Sequence, residues 1–220
     1  MAFPQTMLCR EILAPDLDGV IALLTRGFHP ERKQAHWTDV IGKLSVHPSP
    51  PGLPKYGYLL ESDGAPVGVL LLIFSSVIVD GEARTRCNVS SWYVEPVFRS
   101  YAALLSLRAT KYKHVTYLNI TPGRHTWPML QAQGYQRFSN GMFFAVPALC
   151  RSLFSAPVKA VSSDICPGQD LQPCEVELLL SHAGYGCISL TCETRGSRHP
   201  FVLGRRSKFG SRSIPFAHLL

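Results

Sequence analysis

The sequence predicts a mixed α+β fold: a mixed sheet flanked by helices, followed by a smaller β-rich segment. Three observations carry that expectation. Residues 56–76 hold two apolar runs separated by Asp63-Gly64, a dipeptide suited to two-residue hairpin turns. Residues 90–120 read as strand, turn, helix and strand, the order of a right-handed parallel crossover. The last part of the chain follows a stretch rich in Pro, Ser and Ala, and holds one amphipathic helix and three further strand-like runs.

Composition sets the outer bounds. The chain has 220 residues, enough for one domain plus a fragment or for two small domains. With 46% hydrophobic and 17% charged residues it is globular rather than disordered. A net charge of +7 suits an anionic ligand, a nucleic acid or a membrane surface without choosing among them. Much of the excess lies late, in Arg195, Arg198, Arg205, Arg206, Lys208 and Arg212. The 7 cysteines are odd in number and none has CxxC spacing, so neither a zinc site nor a disulfide framework is expected. The N-terminal residues lack a basic and then apolar leader, and the longest apolar run, residues 67–73, is far too short to span a bilayer. A cytoplasmic protein with reduced thiols, no metal and no membrane contact is the expectation.

The elements follow in order. Residues 9–13 form a short apolar strand. Ala14-Pro15-Asp16 starts a helix, with Leu17, Val20, Ile21 and Leu24 at helical spacing and Gly27 as its stop. A second helix spans 31–44, with Trp37, Val40, Ile41 and Leu44 on one face. Residues 47–54 are a proline-rich loop. Strands at 56–61, 67–76 and 84–94 come next. Pro96 ends the third strand and holds Glu95 extended. Ser100 is placed to cap a helix over 101–112. Residues 115–120 form a strand parallel to the one before that helix. A short helix runs from Thr121-Pro122 to Gln133 and closes at Gly134, before a last strand at 142–146.

Residues 90–105 are the stretch the rest is organised around. A strand feeding a helix start makes an anion site, since first-turn amides point outward at the positive end of the helix dipole. Arg99 adds a guanidinium that can grip a phosphate with two bonds. The bland reading is an ordinary strand-to-helix turn.

The order β-α-α-β-β-β-α-β-α-β over residues 8–147 resembles the GNAT acyltransferase superfamily. The resemblance rests on Val94-Glu95-Pro96 at a strand end, the loop Arg99-Ser100-Tyr101-Ala102-Ala103-Leu104, and Gly134-Tyr135 after the late helix. It implies acetyl-CoA or another acyl-CoA as co-substrate. Main-chain groups of Trp92, Tyr93 and Val94 would hold the pantetheine arm, and residues Arg99, Ser100, Tyr101, Ala102, Ala103 and Leu104 would cradle the pyrophosphate. The fourth and fifth strands would splay apart to leave a gap for the cofactor, so that Asn119 and Thr121 would lie near the acyl end. This chain has Ala102 and Leu104 where the family has glycines, and Leu130 where it often has a thiolate-protonating tyrosine. His125 at the start of the late helix is a candidate substitute acid beside the plainer reading of a surface or capping His, with Tyr93, Ser91 and Asn119 as further candidate contacts. Period-two alternation puts Ser91 and Tyr93 on one face. Glu95 is a base only if it points into the cleft. Trp92 and Trp127 read more simply as core aromatics.

Three domains of organisation follow: a GNAT-like domain over 1–147, a linker over 148–173, and a β-rich segment over 174–220. That last segment has a helix near 174–182 and strands near 186–193, 201–206 and 213–220. It echoes residues 31–94 and reads as the start of a second GNAT-like repeat that the chain ends before completing. Its basic turn, residues 205–212, reads as a solvated hairpin loop rather than a nucleic-acid site. The leading functional expectation is transfer of an acyl group from acyl-CoA to a small-molecule or peptide amine by direct attack. The alternative is a GNAT-fold binding module without catalysis. A homodimer is compatible with the sequence and not required by it.

Overall fold

The structure is a computed structural model and describes residues 6–79, 81–120, 122–123, 126–138, 156–162, 170–206 and 216–219. Two compact units divide the chain, Met1–Gln136 and Arg137–Leu220. The division falls before residue 147. Residues 148–173, expected as linker, contain a strand, Val158–Val161. The strand expected at 142–146 and most of the basic turn lie outside the described residues.

The first unit is built on five strands: β1 (Met7–Glu11), β2 (Gly57–Ser62), β3 (Ala65–Val79), β4 (Glu82–Val94) and β5 (Val115–Leu118). They lie in that spatial order. The first four are antiparallel neighbours, and β5 runs parallel to β4. Asp63 and Gly64 both take positive φ, 50° and 80°, the backbone a two-residue hairpin turn needs. Gly57 opens β2 at φ +125°, where an added Cβ would lie 2.1 Å from the Leu70 carbonyl oxygen, so only glycine fits.

Helices cover both faces. On one face α1 (Leu17–Gly27) and α2 (Gln34–Val46) bury Val20, Leu23, Leu24, Trp37 and Ile41 against Leu59, Val69 and Leu71. On the other, α3 (Ala102–Ala109) sets Leu105 and Ala109 against Tyr58, Leu60, Leu70, Leu72, Phe74, Cys87 and Val89. Strand alternation separates the two sets. A short helix, α4 (Trp127–Ala132), follows β5 and buries Leu130. Ser106 on α3 donates to Gln133 Oε1 at 2.6 Å just past α4. Gly134, at φ +86°, then turns the chain.

The second unit has β6 (Val158–Val161), α5 (Pro173–Gly184), β7 (Ile188–Thr194), β8 (Ser197–Arg206) and β9 (Phe216–Leu219). All four strands are antiparallel to their neighbours, in the order β6-β7-β8-β9. Leu179 of α5 packs with Val161, Leu171 and Val202. The β7–β8 turn is Arg195-Gly196, at φ 51° and 77°, the backbone of the Asp63-Gly64 turn.

Candidate functional site

The site begins where two strands part. β5 pairs with β4 only from Thr85↔Val115 to Asn88↔Leu118. β4 continues to Val94. Over residues 89–94 its outer edge therefore meets no strand among the described residues. An open edge presents alternating amides and carbonyls, ready to bond any extended chain that carries the same groups.

A bulge lies within that edge. Leu71 faces Ser90 and Val69 faces Tyr93, so Ser91 and Trp92 together oppose Leu70. Ser91 takes φ +52° to accommodate the extra residue. The bulge reverses the alternation. Cys87 and Val89 face the α3 side, and so do Trp92 and Val94 beyond the bulge, while Tyr93 faces α1 and α2. The expectation that Ser91 and Tyr93 share one face rests on strict period two, which the inserted residue interrupts; the Ser91 hydroxyl lies 3.2 Å from that of Ser90.

The three edge residues have distinct surroundings. Tyr93 packs on Gly27 of α1, where an added Cβ would meet its ring at 2.5 Å, and on Phe28 at 6.2 Å between centroids. Val94 is buried. Trp92 is half-buried, and its Nε1 is shut from solvent with no hydrogen-bond partner among the described residues.

The turn after β4 differs from the expected loop. Pro96–Tyr101 is a 3-10 helix running straight into α3. Phe98 N–H donates to the Glu95 carbonyl and Ala102 N–H to that of Arg99. Amides inside such a turn are already bonded. Ser100 lies within it and does not cap; the N-cap is Tyr101, with no side-chain bond. Tyr101 and Ala102 pack toward the core, whereas Arg99, Ser100, Ala103 and Leu104 are exposed. Arg99 has no ion pair or hydrogen bond among the described residues. Glu95, by contrast, accepts from Arg26 Nη2 at 2.9 Å and is held as an ion pair rather than as a free base.

Asn119 follows the last residue of β5 and stands half-buried on the opposite side of the gap. Thr121 and His125 lie outside the described residues. Leu130, at the family's tyrosine position, is buried at 2% exposure. A tyrosine is nevertheless close by. Tyr135 N–H donates to the Leu130 carbonyl, and burial pushes the Tyr135 hydroxyl up to about 12, with Cys87 as a further neighbour raising it. Tyr117 of β5 is likewise raised to about 12 by burial, although the backbone N–H of Tyr112, 3.3 Å from its oxygen, acts in the opposite sense. Both phenols are protonated at neutral pH. In the sequence Tyr135 stands only as the aromatic of the Gly134-Tyr135 pair, and its burial follows from the fold rather than from a local motif.

No family model matches the chain. No curated protein matches it either. Solved structures do. A candidate acetyltransferase from Pyrococcus horikoshii aligns over 93% of this chain and 73% of its own, at a TM-score of 0.52 and 10% identity. An acetyltransferase from Trypanosoma brucei aligns over 64% of this chain and 100% of its own, at 0.47 and 14% identity. Glucosamine-6-phosphate N-acetyltransferase from Arabidopsis thaliana aligns over 64% and 99%, at 0.46 and 10% identity. The first of these carries the likeness, and its coverage reaches into the second unit.

Proposed function

We propose that this chain, a member of the GNAT superfamily by fold, takes an acyl-CoA along the open edge of β4 and transfers the acyl group to an amine. One observation carries the reading: β4 runs six residues past its last pairing with β5, from Val89 to Val94, with a bulge at Ser91. The pantetheine arm contains amides and can extend that ladder. Arg99 and Ser100, exposed at the end of the same edge, supply phosphate contacts that the bonded turn amides do not.

The chemistry needs little from the protein beyond placement. The amine lone pair attacks the thioester carbonyl, a C–N bond forms, and the C–S bond breaks. The nitrogen loses a proton and the thiolate gains one, giving amide and free CoA. Backbone amides at the bulge polarise the carbonyl, and positioning supplies much of the rate. Tyr135 and His125 are the candidate donors to the thiolate, with Asn119 and Tyr93 orienting the acyl end. Tyr135 is favoured because it follows the late helix, its N–H bonded to the Leu130 carbonyl, and its half-buried phenol is protonated at neutral pH.

The test is release of CoA thiol from acetyl-CoA in the presence of amines. Tyr135→Phe should lower kcat about tenfold or more while leaving acetyl-CoA affinity unchanged. An unchanged kcat removes Tyr135 from the mechanism. Binding of acetyl-CoA with no turnover by any amine would favour the non-catalytic binding module, a reading supported by the apolar Leu130.

The second unit is read as the opening of a second copy of the same fold. Its order, strand, one helix in place of two, and three antiparallel strands with a two-residue turn of like φ between the first pair of the three, supports that reading. A crystal structure should then superpose residues 186–220 on 57–94 with the two turns coincident. A register that sets the turns apart would refute it.

A further inference from the structure

The sheet face that carries α1 and α2 is only partly covered. The apolar cluster under those helices reaches Leu71 on β3 and Tyr93 on β4, and goes no further toward β5. Beyond it, among the described residues, the same face is a floor that carries no buried apolar cluster: Asn88 and Ser90 are half-buried and Arg86 is exposed. Cys87 and Val89 point to the α3 side, so their neighbours Arg86, Asn88 and Ser90 point to the open side. The parallel pairing of Arg86 with Thr116 and of Asn88 with Leu118 extends the floor onto β5. Arg86 and Thr116 are exposed, and Leu118 is 40% exposed.

This floor carries a charge without a partner. Among the described residues of β3, β4 and β5, Glu82 is the only carboxylate, and it lies 3.7 Å from Arg84. Arg86 makes no ion pair, hydrogen bond or ring contact among the described residues. It stands four residues before Ser90, about 13 Å along an extended strand, on the same face. Ser90 adjoins the bulge where the thioester would sit.

We infer that this floor receives the acyl acceptor, and that Arg86 takes an anionic group on it. This rests on the acyl-transfer reading above. The acceptor is then an amine whose carboxylate or phosphate lies several bonds from the nucleophilic nitrogen. A guanidinium grips either group with two bonds, and neither the amine attack nor the loss of thiolate alters that contact. Specificity of this kind appears mainly in KM, since the contact is the same before and during reaction.

The experiment uses the full chain and acetyl-CoA, with thiol release as readout. Hexylamine, ε-aminocaproate and 6-aminohexyl phosphate share one chain length and differ in their far end. The carboxylate or the phosphate amine should exceed hexylamine in kcat/KM by about tenfold or more, and whichever does so identifies the anion. Arg86→Ala should raise KM for the preferred amine and lower its kcat/KM to the level of hexylamine, whereas Arg86→Lys should restore part of the preference. Equal use of all three amines, or a preference that survives Arg86→Ala, overturns the inference. So does binding of acetyl-CoA by calorimetry without turnover of any of the three. Intact acetyl-CoA binding in those cases leaves the cofactor site standing, while its absence in the wild-type chain sinks both readings together.

Discussion

Arg10 joins three segments through one guanidinium. Its Nη1 and Nη2 donate to the two oxygens of Asp16 at 2.7 and 2.8 Å, and its Nε and Nη2 donate to Glu61 at 2.9 and 2.5 Å. Those bonds hold the Asp16 carboxyl below its ordinary value of 3.8 and push Arg10 further up. A carboxyl whose folded pKa is depressed stabilises the fold above its unfolded value and loses that contribution as pH falls toward the folded one. Stability should therefore decline below about pH 4, and Arg10→Met should reduce the difference between pH 7 and pH 3 by about 1 kcal/mol in urea denaturation. An unchanged difference would mean the pair contributes nothing. At this scale the sequence was partly legible. Arg99 stood out as a cation able to grip a phosphate because it lies just before a helix start. The Arg10 network was not, since its partners are set by strand pairing. Nor was the bulge at Ser91, since serine in a strand carries no signal of a positive φ.

Elements were more legible than the links between them. Asp63-Gly64 marks the hairpin because both residues tolerate a left-handed backbone, and the structure puts both there. The crossover from β4 through α3 to β5 follows from handedness and chain length. Two elements escaped. β6 sits in a stretch whose Pro, Ser and Ala content describes a linker, and it exists through its pairing with β7. The 3-10 turn Pro96–Tyr101 replaces a loop because no glycine interrupts it. Among the described residues a part-buried hydrogen bond ties α3 to the residue after α4. Ser106, 3% exposed, donates to Gln133 Oε1. Ser106→Ala leaves that oxygen without its donor and should cost about 1–2 kcal/mol in chemical denaturation. A cost near zero would show that the two helices are held by apolar contacts alone.

The molecule as a whole is two units with separate cores. Leu59, Val69 and Leu71 close one face of the first sheet and Leu60, Leu70 and Phe74 the other, while the second core gathers around Leu179. Residues 1–136 should then fold alone, with a cooperative denaturation curve and the circular dichroism of a mixed fold. A fragment that stays unfolded would show that the first unit depends on the second. The fold class was readable from hydrophobic periodicity and turns, because those are local. The open edge of β4 was implied only by the family resemblance, which parts the fourth and fifth strands; its start depends on where β5 stops pairing, at Asn88↔Leu118.

The central claim is that this edge and the turn after it hold an acyl-CoA. Titration calorimetry of the full chain with acetyl-CoA tests it most directly, alongside Arg99→Ala. Micromolar affinity is expected in the wild-type chain, weakened about tenfold or more by Arg99→Ala through loss of a charge-assisted phosphate contact. No heat with acetyl-CoA or longer acyl-CoAs, or an affinity unchanged by Arg99→Ala, would contradict the account.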